Sequence, residues 1–99
     1  MHFKKYHEIY LYTSPESKLC ELAKIYFRAG GHDFVELDIS KNDIAKKKMI
    51  EISDQLLTPV VEIDGRVVIG YQQDLYDHIL DEGDQRKDRE VDEEKNKED

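Results

Sequence analysis

Residues 9–30 read IYLYTSPESKLCELAKIYFRAG, a stretch that combines the signals of a β-strand and of an α-helix. They open with a short β-branched and aromatic run from Ile9 to Tyr12, whose continuous apolarity predicts a strand covered on both faces. Ser14 and Pro15 then suit the cap and the first position of a helix. These residues therefore predict a β-strand followed directly by an α-helix.

Apolar residues in the helical part of this stretch recur at the spacing of a single helix face. They fall at i, i+3, i+4, i+7 and i+8, and they are Leu19, Leu22, Ala23, Tyr26 and Phe27. Arg28 suits the negative end of the helix dipole, and Gly30 ends the helix. One face of this helix is expected to pack against the sheet that contains the first strand.

A second strand and a second helix follow. Residues 34–39 alternate in polarity, which predicts a strand. The apolar face of this strand carries Val35, Leu37 and Ile39. A helix capped by Ser40, Asn42 or Asp43 comes next, and the Thr58-Pro59 pair breaks it. Its apolar stripe consists of Ala45, Met49, Ile52 and Leu56.

A hairpin and a short helix complete the pattern. Residues 60–63 and 67–69 are apolar runs on either side of Asp64-Gly65, a strong signal for a two-residue hairpin turn. Gly70 turns the chain, and the apolar residues of the last helix are Leu75, Tyr76, Ile79 and Leu80. Strand–helix–strand units are almost always parallel, whereas a hairpin is antiparallel. The order β-α-β-α-β-β-α therefore predicts an α/β fold with a mixed four-stranded sheet and helices on both faces.

Charge is concentrated at the C-terminal end of the sequence. Residues 81–99 supply −5 of the net charge of −8, with ten acidic residues, five basic residues and one aliphatic residue, Val91. A segment this polar cannot bury enough apolar surface to offset its ordering entropy. We therefore expect one ordered domain over residues 1–81 and an acidic disordered tail over residues 82–99.

Composition also argues against several classes of function. No apolar run is long enough to cross a membrane, and the first residues lack the apolar region of a signal peptide. The single cysteine, Cys20, excludes an internal disulfide framework. The acidic balance argues against nucleic-acid binding, and the histidines lack metal-ligand spacing. We expect a cytoplasmic monomer that binds no metal, no nucleic acid and no membrane.

Taken together, these segments resemble a known family. The segment from Tyr12 to Cys20 resembles the glutaredoxin and NrdH-redoxin motif, an aromatic residue followed by T-x-P-x-C-x-x-C. Leu57-Thr58-Pro59-Val60 resembles the family's segment that ends in a cis-proline, and residues 64–71 resemble its C-terminal half. The resemblance covers residues 8–80. It implies a thioredoxin-like (glutaredoxin) fold and the chemistry of a thiol–disulfide oxidoreductase.

The chain departs from this family at the central position of the motif. In the family, the first cysteine of C-x-x-C attacks a disulfide as a thiolate, and the second resolves the mixed disulfide. Here Ser17 occupies the attacking position and Cys20 matches the resolving cysteine. Because a serine hydroxyl ionises far above neutral pH, the chain with Ser17 is expected to be inactive or impaired in dithiol turnover.

Three accounts of Ser17 fit the sequence: an introduced replacement for cysteine, a replacement for selenocysteine, or a native serine in a protein that has lost redox chemistry. In each account, Ser17 and Cys20 hold the catalytic positions of the family. Taken alone, Cys20 is equally well a small packed hydrophobe. The resemblance assigns substrate binding to Tyr12, Thr58, Pro59, Gly70 and Tyr71. For the two tyrosines, packing in the core or at its rim is an equally good interpretation.

The resemblance also bears on partners. It implies a protein disulfide as substrate, thioredoxin reductase or glutathione as reductant, and no resident cofactor. Ser14 stands where many glutaredoxins carry a lysine that contacts the glutathione carboxylate, and residues 70–74 retain one glycine and one acid of the segment that holds its other end. Both departures favour a resemblance to NrdH-redoxins, which are reduced by thioredoxin reductase, and argue against glutathione binding.

Two further functions fit the same residues. One is a redox-dead binding module that pairs with an extended peptide, or with glutathione, in the groove beside the Thr58-Pro59 pair. The other is a glutathione-binding protein without turnover. Both keep the fold and lose the chemistry. The substitution Ser17→Cys separates them from a silenced oxidoreductase, in which the new thiol is expected to form a disulfide with Cys20.

Overall fold

A computed structural model describes residues 7–81. Its elements are β1 (Ile9–Thr13), α1 (Lys18–Ala29), β2 (Val35–Asp38), α2 (Asp43–Ser53), β3 (Val60–Ile63) and β4 (Arg66–Ile69). A third helix, α3, occupies residues 73–81. The predicted order of elements is confirmed, whereas the predicted acidic tail, residues 82–99, lies outside the described residues. Among α1, α2 and α3, none is long and apolar enough to span a membrane.

The four strands form one mixed sheet in the order β2-β1-β3-β4. β1 pairs in parallel with β2, as expected for a strand–helix–strand unit. The β1–β3 and β3–β4 pairs are antiparallel. Asp64 and Gly65 both have positive φ angles, 50° and 88°, as a type I′ hairpin turn requires. β1 is thereby a central strand, and the loop that leaves it emerges at the end of the sheet.

Helices cover both faces of this sheet. On one face, α1 and α3 pack on the strands in a cluster formed by Ile9, Leu11, Ala23, Phe27, Val61, Ile63, Val68, Tyr76, Ile79 and Leu80. On the other face, α2 packs in a smaller cluster formed by Tyr12, Ala45, Met49 and Val60. Because successive side chains of a strand point to opposite faces, β1 contributes to both clusters. The predicted α/β architecture is therefore confirmed.

The start of α1 differs from the expectation. Ser14 is predicted as the cap and Pro15 as the first helical residue, but Ser17 caps the helix and Lys18 begins it. The Ser14 hydroxyl contacts the Thr58 hydroxyl instead. Glu16 has a φ of 62°, which a right-handed helix excludes. The helix can therefore begin only after this turn.

The buried stripe of α1 also differs from the predicted one. Leu19 and Leu22 are 48% and 42% exposed, whereas Cys20, Ala23 and Phe27 are buried. These three lie at i, i+3 and i+7, which is one helix face. A free cysteine packs as a small hydrophobe. If Cys20 is counted among the apolar residues, the predicted apolar stripe of α1 shifts to the face that is buried in the structure.

The second helix, α2, is shorter than predicted, since it ends at Ser53 rather than at the following proline. Asp54 takes the left-handed conformation that commonly ends a helix. The Ser53 hydroxyl donates to the carbonyl of Met49 and closes the last turn. Leu56, predicted on the buried stripe, thus lies beyond the helix and is 55% exposed.

The packing of α2 yields a stability test. Met49 is fully buried beneath this helix, whereas Ile44 on the same helix is 81% exposed. We expect Met49→Ala to lower the free energy of unfolding by about 2–5 kcal/mol, because it leaves a cavity in the core. The control, Ile44→Ala, should change it by less than about 0.5 kcal/mol. Urea unfolding followed by circular dichroism measures both, and equal losses would contradict the observed packing of α2.

Candidate functional site

Ser17 lies at the N-terminal cap of α1, just beyond the end of the central strand β1. Its backbone is extended, with φ −102° and ψ 119°, and its Oγ accepts a hydrogen bond from the backbone N–H of Cys20 at 3.2 Å. This bond satisfies one of the unpaired N–H groups in the first turn. Ser17 is therefore at the positive end of a twelve-residue helix, where a negative charge would be stabilised.

Cys20 lies one turn inside α1 and is 1% exposed. Its side chain belongs to the buried face of the helix, together with Ala23 and Phe27. A reactive cysteine is ordinarily a partly exposed thiolate in an electropositive environment. The pair is thus arranged with a partly exposed hydroxyl at Ser17 on the outside and a buried thiol at Cys20 on the inside.

The loop that carries Thr58 and Pro59 lies against the loop between β1 and α1. The hydroxyl oxygens of Ser14 and Thr58 are 2.6 Å apart and share a hydrogen bond. The Thr58–Pro59 peptide bond is cis, and Pro59 is fully buried. The Pro59 carbonyl accepts a hydrogen bond from the Gly70 N–H at 2.7 Å. Ser14, Thr58, Pro59 and Gly70 therefore form one connected group at the end of the sheet.

The backbone of Thr58 differs from that of its neighbour Leu57 in its hydrogen bonds. The side chain of Gln55 bonds both backbone groups of Leu57, accepting from its N–H at 2.7 Å and donating to its carbonyl at 3.1 Å. Within residues 7–81, no hydrogen bond engages the N–H or the carbonyl of Thr58. These two groups are open to an extended chain placed beside the loop.

Tyr76 supports Gly70 from inside the protein. The Tyr76 hydroxyl is fully buried and donates to the Gly70 carbonyl at 2.6 Å. Burial raises the pKa of the Tyr76 hydroxyl above its ordinary value; a backbone hydrogen bond with Gln72 opposes this rise, and smaller effects of Tyr71 and Cys20 add to it. Gly70 has a φ of 90°, which glycine adopts at little cost. The loop beside Pro59 is therefore held by hydrogen bonds at both backbone groups of Gly70.

The two tyrosines predicted at the site lie in other surroundings. Tyr12 is 2% exposed and packs against α2, and its burial, with a smaller effect of Glu62, raises the pKa of its hydroxyl. Tyr71 is half-buried against Tyr76, with ring centroids 5.9 Å apart. The structure thus places Tyr12 in the core and Tyr71 at its rim. These are the packing interpretations that the sequence left open.

Two features of the site were missed from the sequence. Ser14 was assigned to a helix cap, although its partner is Thr58. Glu16 holds a left-handed conformation beside Ser17, which costs about 1–3 kcal/mol for a non-glycine residue. A Ser-Pro-Glu segment is as typical of a turn as of a helix start. Only the contact between Ser14 and Thr58 shows that this segment forms a turn. Within residues 7–81, no three His, Cys, Asp or Glu side chains are placed to hold a metal ion.

The contact between Ser14 and Thr58 can be measured with a double-mutant cycle. Ser14→Ala and Thr58→Val should each lower the free energy of unfolding by about 0.5–1.5 kcal/mol, because each leaves one hydroxyl without its partner. The double variant should cost less than the sum, since no unpaired hydroxyl remains. Urea midpoints give the three values. Strict additivity would contradict the hydrogen bond, and Thr58→Ser, which keeps the hydroxyl, is the control.

The buried hydroxyl of Tyr76 makes stability sensitive to alkaline pH. Its pKa is raised in the folded state above the unfolded value of about 10, so the unfolded chain loses this proton first. The stabilisation is fully present below about pH 10 and is lost as the pH rises further. We expect the urea midpoint to fall progressively as the pH rises above about 10.

The matched variant for this dependence is Tyr76→Phe. It should flatten the alkaline fall in stability, because it removes the titrating hydroxyl. A residual slope should persist, because burial and the hydrogen bond to Asp77 also raise the pKa of Tyr26. An unchanged slope in the Tyr76→Phe protein would show that other groups cause the fall.

Comparison with known proteins adds to this geometry. The glutaredoxin family model matches residues 9–68. The chain is 26% identical over 73 residues to an uncharacterized glutaredoxin-like 8.6 kDa protein in the rubredoxin operon of Clostridium pasteurianum, covering 74% of this chain and 97% of that protein. In structure it is similar to the thioredoxin-like protein BC3987, with a TM-score of 0.67 and 30% identity over 71% of this chain and 96% of the other.

The NrdH-redoxin of Escherichia coli has the same fold, with a TM-score of 0.63 at 20% identity over 69% of this chain and 88% of the other. The family match spans more than half of the sequence, and Ser17, Cys20, Thr58 and Pro59 all lie inside it. Family membership supports a redox-type function. The chain belongs to the glutaredoxin family.

Proposed function

We propose that this chain is a glutaredoxin-like thiol–disulfide oxidoreductase scaffold in which Ser17 holds the attacking position, and that it is inactive or strongly impaired in dithiol turnover. One observation carries the proposal. Ser17 Oγ caps α1 at 3.2 Å from the Cys20 N–H, while the only thiol of the chain is buried behind it. The accessible group is therefore a hydroxyl where the chemistry needs a thiolate.

The reaction of such a scaffold has two steps when a thiolate stands at position 17. The thiolate attacks one sulfur of the substrate disulfide, forms a mixed disulfide and releases the other substrate sulfur as a thiolate. Cys20 then loses its proton, attacks the sulfur at position 17 and releases the second substrate sulfur. The substrate gains two electrons, the protein pair loses two, and thioredoxin reductase or glutathione returns them.

With Ser17 in place, the first step lacks its nucleophile. A serine hydroxyl stays protonated at neutral pH, and this one is already used as an N-cap. Cys20 cannot take over the attack, because a side chain that is 1% exposed does not reach a protein disulfide in solution. The chain therefore has the resolving thiol, Cys20, but lacks the attacking thiol.

The backbone of Thr58 supports a protein disulfide as the substrate class. The open N–H and carbonyl of Thr58 can pair with an extended peptide as an added strand. Ser14 offers a neutral hydroxyl, already bonded to Thr58, where a glutathione carboxylate would need a cation. We therefore favour thioredoxin reductase over glutathione as the reductant, for a monomer acting in the cytoplasm.

A second candidate function is a redox-dead module that binds peptides beside Thr58. The observation that favours it is the open Thr58 loop, which the hydrogen bonds of Ser14 and Gly70 hold in place without any need for a thiol. Binding would then use the same backbone groups, with no electron transfer.

The substitution Ser17→Cys separates the two candidates. We expect it to create a thiol whose pKa is lowered by the helix N-terminus and by the Cys20 N–H, and which forms a disulfide with Cys20. The rate of insulin reduction with thioredoxin reductase should rise at least about a hundredfold over that of the unchanged chain. This is a modest expectation, because removing the nucleophile lowers the rate of other enzymes by a much larger factor. A parallel assay with glutathione and its reductase identifies the reductant.

The double variant Ser17→Cys/Cys20→Ser is the matched control. It keeps the attacking thiol but lacks the resolving one, so it should trap mixed disulfides without turning over with thioredoxin reductase. If the Ser17→Cys protein folds but neither reduces insulin nor forms its internal disulfide, the oxidoreductase proposal fails and the peptide-binding module remains.

A further inference from the structure

A groove of about 920 Å³ lies between α1 and α3. Ser17, Cys20 and Thr58 do not line it, although Tyr71, which the resemblance assigned to substrate binding, is among its lining residues. Its α1 wall begins at Leu22, more than one turn beyond the cap of that helix. The groove is thus a second surface of the protein with its own chemistry.

The wall on α1 is apolar. Leu22, Ile25 and Ala29 lie at i, i+3 and i+7, so they form one stripe along the helix. Leu22 and Ile25 are 42% and 56% exposed, and Ala29 is exposed as well. Exposed apolar side chains grouped in a groove, rather than scattered singly, are typical of an interaction surface.

The wall on α3 carries three aspartates at the same spacing, together with Gln73, His78 and Leu80. Asp74, Asp77 and Asp81 lie at i, i+3 and i+7 and are exposed. Tyr26, between the two walls, donates its hydroxyl to Asp77. The groove therefore presents a row of apolar side chains on one helix and a row of carboxylates on the other.

We propose that this groove binds an amphipathic helix of a partner protein that carries a leucine-type stripe flanked by lysine or arginine. The apolar stripe would cover Leu22 and Ile25, and the cationic side chains would meet the aspartates of α3. A wholly apolar occupant would leave carboxylates desolvated without partners, which is costly. An acidic occupant would be repelled. The charge pattern thus selects a basic helix.

A synthetic amphipathic leucine–lysine peptide, titrated into the full-length protein, tests the proposal. We expect saturable binding in calorimetry, with amide shifts in NMR confined to α1 and α3. Ile25→Lys should weaken binding at least about tenfold, which is about 1.4 kcal/mol. The matched control is Ile44→Lys, which introduces the same charge at an 81% exposed position of α2 on the other face of the sheet. It should leave the affinity nearly unchanged.

Several results would overturn the proposal. Equal weakening by Ile25→Lys and Ile44→Lys would mean that net charge alone attracts the peptide. Equally tight binding of a leucine–glutamate peptide would exclude the aspartate row as a determinant. Absence of saturable binding would exclude a basic helix as the occupant. Concentration-dependent dimerisation that Ile25→Lys abolishes would assign the groove to a second copy of the chain. None of these readouts depends on redox activity.

Discussion

Strand β1 is covered on both faces at Leu11 and Tyr12, although Tyr10 is 37% exposed, and most of the architecture follows from that cover. Leu11 and Tyr12 are adjacent in sequence, 0% and 2% exposed, and belong to different core clusters. A strand covered on both faces needs a helix on each side of the sheet, and a central strand also needs a paired strand along each edge. β2 and β3 supply those neighbours. The chain can then leave β1 only at the end of the sheet, where the candidate site is built.

The site and the core are held together by different forces. The core relies on apolar burial by α1, α2 and α3, whereas the site is a series of hydrogen bonds linking Ser14 to Thr58, Pro59 to Gly70, and Gly70 to Tyr76. None of these bonds involves Ser17, whose own contribution is the N-cap bond to the Cys20 N–H, worth about 0.5–2 kcal/mol. A change at Ser17 decides whether a thiolate is present. Fold and chemistry are therefore separable in this protein, as in other folds whose function depends on a few side chains.

Helix α1 serves three surfaces at once. Its face of Cys20, Ala23 and Phe27 packs in the core, its N-terminus carries Ser17, and its outer stripe of Leu22 and Ile25 lines the groove with α3. A helix can do this because residues three and four apart share a face, whereas intermediate positions point elsewhere. Leu22, whose exposure contradicts the predicted core stripe, is thus part of the second surface.

Local sequence was sufficient for the order of the elements, the Asp64-Gly65 hairpin, the mixed sheet and the family resemblance. These features depend on periodicity and turn chemistry, which a short window of residues carries. The packed structure was needed to show that Ser14 bonds Thr58 rather than capping α1, that Cys20 rather than Leu19 faces the core, and that Tyr12 is buried beneath α2. The Ser14–Thr58 contact joins residues 44 positions apart. A pairing at that separation leaves no periodic trace in the sequence, because it depends on how two loops meet at the end of the sheet.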